Sequence, residues 1–200
     1  MKRTFTALLA ILSLFAVIIN VSLADELVLP VFLSVTGVVT EVREFKDEND
    51  EAVEGWFFIT IKDENDAPAM ILVTENTCYP FDTMAAVDGA VTAYYYALSP
   101  MPLIFPPQYT ADVLAVNVPE PQSVKVDRFT RARDRLDGML VSDDGMLALQ
   151  IDDATEMITV HGEAFDGELS GYSLAVVYDV STRSIPAQTT PSTIIVLPAH

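Results

Sequence analysis

Cysteine occurs once in these 200 residues, histidine twice, tryptophan once and glycine eight times. Each scarcity removes a class of chemistry. Cys78 alone cannot close an intramolecular disulfide, so it reads as a small buried hydrophobe beside a strand at Met70–Thr74. Zinc centres need clustered Cys and His, whereas His161 and His200 stand apart and no motif ties either to Cys78. A serine or cysteine nucleophile needs a positioned base; His200 is the last residue and His161-Gly162 reads as a turn. No glycine falls in a phosphate-cradling pattern. Carboxylates are so numerous, at 29, that some pair always lies at a glycosidase-like spacing, which makes that signal worthless. These patterns predict no catalytic residue, no metal ligand and no cofactor.

Positive charge is also scarce: 11 Lys+Arg stand against 29 Asp+Glu, a net charge of −18. Nucleic acid is therefore excluded as a partner, because its binding depends on basic side chains that release counterions. The acidic balance also disfavours anionic lipid surfaces.

The N-terminus reads as an export signal. Lys2 and Arg3 precede an uncharged run from Phe5 to Ala24, and Ser22-Leu23-Ala24 supplies the small residues of a cleavage site. An uncleaved N-terminal anchor is the competing reading, since the run is long enough to span a bilayer. The expected organisation is a signal over residues 1–24, one unit over 25–119 and a second over 123–200, joined near Pro119–Gln122 (PEPQ). The expected setting is secreted or associated with the cell envelope, with no membrane contact beyond a possible N-terminal anchor.

Beyond the signal the chain reads as strand after strand. Apolar residues alternate with polar ones at Val31–Thr40, Phe57–Lys62 and Leu147–Asp152, a period of two. Val91–Tyr96, Tyr109–Val118, Leu174–Tyr178 and Thr193–Leu197 are rich in β-branched and aromatic residues. Asp47–Asp50, Asp63–Asp66 and Ser142–Gly145 read as turns. Both Asp-Glu-Asn-Asp runs fail the calcium-loop pattern, which places a glycine where Ala52 and Pro68 stand. Helix is expected only over Arg128–Leu136, with one further turn at Thr83–Val87.

The chain also repeats itself. Gly89, Ala93, Tyr96 and Ser99 recur as Gly171, Ala175, Tyr178 and Ser181, and Pro106-Pro107-Gln108-Tyr109-Thr110 recurs as Pro186-Ala187-Gln188-Thr189-Thr190. A third match aligns Val35–Val39 with Leu136–Leu140 and places a glycine, Gly37 or Gly138, in the first strand of each unit. Five strands per unit predict an all-β protein of two tandem, small, OB-like five-stranded barrels. One continuous sandwich is the alternative.

The loops Ser99–Tyr109 and Ser181–Pro191 resemble repeats in uncharacterised secreted β-rich proteins of Gram-positive, Clostridia-like bacteria, some with a copper-amine-oxidase-N-terminal-like stalk domain. The resemblance implies an extracellular or envelope setting and a β-rich fold, and it transfers no catalytic residue.

For ligand or partner contact the candidates are Gln108 and Gln188, which present amides, Tyr94, Tyr95 and Tyr109 as stacking surface, and Arg183 in the second loop. The competing role for the two glutamines is to satisfy backbone groups that proline leaves unpaired. Arg128, Arg131, Arg133 and Arg135 form a basic patch expected to pair with the acidic surface of the first unit. The functional expectation is a non-catalytic exported β module acting by contact with a cell-wall or extracellular protein. The alternatives are a carbohydrate or small-ligand binding protein and an enzyme with an unannounced site.

Overall fold

The computed structural model describes residues 30–133, 136 and 138–200; the signal segment, Arg135 and part of the expected helix lie outside them. All named elements are strands. The first half carries β1 (Phe32–Lys46), β2 (Ala52–Lys62), β3 (Pro68–Val73), β4 (Ala90–Tyr96), β5 (Gln108–Thr110) and β6 (Val113–Val116). The second carries β7 (Ser123–Arg131), β8 (Leu140–Ser142), β9 (Leu147–Leu149), β10 (Glu156–Thr159), β11 (Ser173–Tyr178), β12 (Ala187–Thr189) and β13 (Thr193–Val196).

The two sheets have one topology. The first runs β5-β3-β2-β1-β4-β6 and the second β10-β13-β11-β7-β8-β9-β12. Reversing the second and aligning β7 with β1 superposes every partner, including the parallel pairs β3–β5 and β9–β12. The strand β10 lies parallel to β13, and its place in the first half is held by a single parallel bridge between Cys78 and Val113.

Neither sheet closes into the expected five-stranded barrel. In the first sheet the two edges, β5 and β6, are parts of one chain segment broken at Ala111-Asp112, so the predicted strand Tyr109–Val118 is two. The break is capped alike in both halves. The hydroxyl of Thr77 donates to the Ala111 carbonyl at 2.8 Å, and that of Thr155 donates to the Pro191 carbonyl at 2.9 Å. Both threonines are buried, so each meets the rule that a buried hydroxyl finds a partner.

Local chemistry sets the turns. Asp47 accepts the N–H groups of Asn49 (2.8 Å) and Glu51 (3.0 Å), and Asp63 accepts those of Asn65 (2.8 Å) and Ala67 (2.9 Å). Asp50 and Asp66 adopt left-handed φ values of 65° and 61°, a conformation Asp tolerates well. These carboxylates are therefore spent on turns. The Glu51 and Asn49 N–H groups hold the exposed Asp47 carboxyl below its usual range.

Three sequence expectations are overturned. Arg128–Arg131 is strand, because β7 pairs with β11 on one side and β8 on the other; two ladders outweigh a weak local preference for helix. Thr83–Val87 forms no helix either. The Gly37–Gly138 match also fails. Gly37 lies within β1, but β1 corresponds to β7, which has no glycine, and Gly138 sits at φ 84° in the turn after it. Gly37 answers a local need instead, since a Cβ there would come within 2.8 Å of the Lys62 carbonyl carbon.

Three apolar clusters hold the fold. Val39, Ile59, Ile61, Ile71 and Leu114 centre the first half, and Phe129, Leu149, Leu174 and Ile194 the second. A third cluster joins the halves: Phe32, Cys78 and Val113 meet Val126, Ala175, Ile195 and Leu197. The strand β11 is consequently buried on both faces, Leu174 and Val176 toward one cluster and Ala175 toward the other.

Candidate functional site

The alternation of a strand separates the three tyrosines of β4. Tyr95 points into its own half, is buried and stacks on Tyr109 with centroids 4.6 Å apart. Tyr94 and Tyr96 point the other way, into the junction. The Tyr94 hydroxyl donates to the Val124 carbonyl at 3.1 Å, a hydrogen bond across the halves. Burial, with Tyr178 nearby, pushes its ionisation upward. The tyrosines proposed as an exposed platform are thus spent on packing, and Tyr109 is half-buried beneath its loop.

The two proline loops differ in chemistry although both contain a cis X–Pro bond, Phe105–Pro106 and Ile185–Pro186. In the first, Leu98 is 75% exposed, Leu103 104% and Phe105 82%, and Met101 and Ile104 are exposed beside them. In the second, Val180 and Ile185 are exposed, and hydroxyls bind the loop to itself. Thr182 Oγ1 accepts the Gln188 N–H at 2.9 Å, Ser184 donates to the Pro186 carbonyl at 2.8 Å, and Thr189 donates to Val180. That task was expected of the glutamine amides; among the described residues neither Gln108 nor Gln188 makes a side-chain hydrogen bond. Arg183 is exposed and stands in no described ion pair.

Gln188 lines a cavity of about 650 Å³ together with Gln150, Asp152, Asp179, Thr182 and Thr190. A second cavity, of about 780 Å³, lies at the junction of the halves. Val31, Leu33, Tyr96 and Leu98 from the first half face Tyr172 and Leu197 from the second, with Arg128 and His200 among the lining. Nothing in the local sequence announces this cleft, because its walls come from both ends of the described chain. The exposed apolar side chains Leu33, Leu98 and Tyr172 mark it in retrospect.

His200 closes one end of that cleft. Its ring stacks on Tyr96 at 4.3 Å with an interplanar angle of 2°, meets Phe32 edge-on, and brings Nε2 within 3.3 Å of Asp112 Oδ1. Burial raises the Asp112 carboxyl above its ordinary value, while His200 and the Tyr96 N–H, bonded at 2.7 Å, pull it down.

Among the described residues the basic patch makes no ion pair across the halves. Arg128 pairs with Asp143 and Arg131 with Glu168, both within the second half, and Lys125 contacts Asp144 and Asp127 there. Ion pairing follows the nearest hairpin neighbours rather than the acidic first half, so the expected orienting role is replaced by apolar packing plus the Tyr94 and His200 contacts. Burial raises the Asp127 carboxyl, opposed by the Asp144 N–H and Lys125. Cys78 is buried, and burial lifts its thiol to about 12, which keeps it neutral and unreactive.

No group of three or more His, Cys, Asp or Glu able to hold a metal occurs among the described residues, and no described helix is long and apolar enough to cross a membrane. No protein-family model matches the chain, and no curated protein matches it.

Proposed function

We propose that this protein is a non-catalytic, exported β module that acts by contact with a cell-wall or extracellular protein, using the first proline loop as its contact surface. One observation carries the reading: Leu98, Met101, Leu103, Ile104 and Phe105 are all exposed within a single loop. Clustered exposed apolar side chains mark interaction sites in soluble proteins, and the loop stands on a scaffold anchored by two ladders. The partner chemistry follows from charge. An apolar pocket with a basic rim suits a chain of net charge −18. Cys78 sits in the core, and Asp47 and Asp63 are engaged in turns.

The test is retention of the purified protein on the envelope fraction of the producing cell, beside a Leu103→Ser/Phe105→Ser variant. Retention of the parent that persists at high salt and is lost in the variant is the expected outcome. Equal retention of both would remove the loop as the contact surface.

A second reading, binding of a small hydroxyl-rich ligand such as a carbohydrate, is favoured by the cavity around Gln188, whose lining sets amide, hydroxyl and carboxylate groups beside Ala154, Val180 and Pro191. Titration with oligosaccharides should then show saturable binding that Gln188→Ala weakens about tenfold, the loss of one to two good hydrogen bonds.

A further inference from the structure

The sequence has 29 acidic residues, yet none lines the cleft between the halves. The walls are apolar, with Val31, Leu33, Leu98, Tyr172 and Leu197, and the polar side chains that reach them include Arg128 and His200. In a chain with 11 Lys+Arg and two His, an acid-free cleft holding one of each departs from its surroundings in both charge and polarity.

Both donors are held from behind. Asp143 takes Arg128 Nε at 2.7 Å and one terminal nitrogen at 2.5 Å, which leaves the other terminal nitrogen without a described carboxylate. Asp112 takes His200 at 3.3 Å while Tyr96 fixes the plane of its ring. Neither Asp112 nor Asp143 lines the cleft. Their role is to orient the two side chains without occupying the cleft itself, which lowers the ordering cost of binding. The volume, about 780 Å³, falls in the range of small-ligand sites, which favour junctions between packed units.

We infer that this cleft binds an anionic amphiphile, an aliphatic or aromatic body ending in one carboxylate. The carboxylate meets Arg128, whose guanidinium suits planar oxygen pairs, and His200; the body lies along Leu33, Leu98 and Tyr172. This site shares Leu98 with the exposed loop but differs from it in chemistry, and it stands whether or not that loop meets a protein.

The probes are dodecanoate, dodecanol and dodecylammonium, each titrated into the purified protein below its micellar concentration and followed by calorimetry. Dodecanoate should bind saturably at least tenfold more tightly than the alcohol, and the ammonium should bind most weakly. Arg128→Gln should abolish the preference for carboxylate over alcohol. Because Arg128 also pairs with Asp143, a second variant guards the test: Ala199→Trp, at an exposed position on the cleft wall, fills the space and should abolish binding of all three while leaving the circular dichroism unchanged. Equal affinity for the three head groups, binding that survives Ala199→Trp, or no binding of dodecanoate would each overturn the assignment.

Discussion

The two halves of this protein share a strand order and a capped break, but their proline loops differ in how much apolar surface they expose. The first proline loop turns Leu98, Leu103 and Phe105 to solvent; the second folds onto its own hydroxyls through Thr182, Ser184 and Thr189. Strand pairing and burial constrain what lies within the sheets, so substitutions there are costly. A loop anchored at both ends by ladders is free to change its chemistry. The divergence therefore points to the loops and the junction as the places where function resides, and to the sheets as the common support.

The largest effect that probes this comparison comes from the shared core. Phe129 is fully buried in the second half, and Phe129→Ala should cost about 3–5 kcal/mol. The only tryptophan, Trp56, sits in β2 of the first half against Phe45. Because Phe32, Val113, Val126 and Ala175 join the halves, the denaturation midpoint read from Trp56 fluorescence should fall with that distant substitution. A Trp56 transition that stays in place would mean that the halves unfold independently.

A smaller effect should be confined to one half. Gly37→Ala sets a Cβ against the Lys62 backbone, and a backbone cannot rotate aside. The expected loss is about 1–3 kcal/mol, as for overpacking, measured by urea denaturation. Gly138→Ala, in an open turn at φ 84°, should cost about 1 kcal/mol through conformation alone. Equal losses would show that the Lys62 approach relaxes.

A further, modest effect should be shared. Thr77→Val and Thr155→Val each remove a buried hydroxyl that caps the split strand, at about 1–2 kcal/mol apiece for the carbonyl left unpaired. Matching losses in thermal unfolding would establish the two caps as one device. A clear mismatch would mean that the breaks are held by different forces.

Much of the scaffold was legible in the residues. The alternation in Phe57–Lys62, the acidic turns and the paired Pro-x-Gln-x-Thr runs are local features, and the strands and duplicated loops followed from them. The capping threonines were not legible, because Thr74-Glu75-Asn76-Thr77 and Asp152-Asp153-Ala154-Thr155 share only their last residue, while their equivalence lies in which carbonyl that residue reaches. The candidate tyrosines were chosen for composition, yet neighbours on one strand met opposite fates: Tyr95 under Tyr109, Tyr94 across the junction.

The sequence by itself determined an all-β chain and its turns, since a period of two and the backbone preferences of Asp, Gly and Pro act over a few residues. Only the tertiary structure decided that Arg128–Arg131 is strand, that two open sheets are joined by a third core, and that Val31 and His200 wall one cleft. Those outcomes depend on ladders and burial between residues far apart in the chain, and no local pattern encodes which distant partner will arrive.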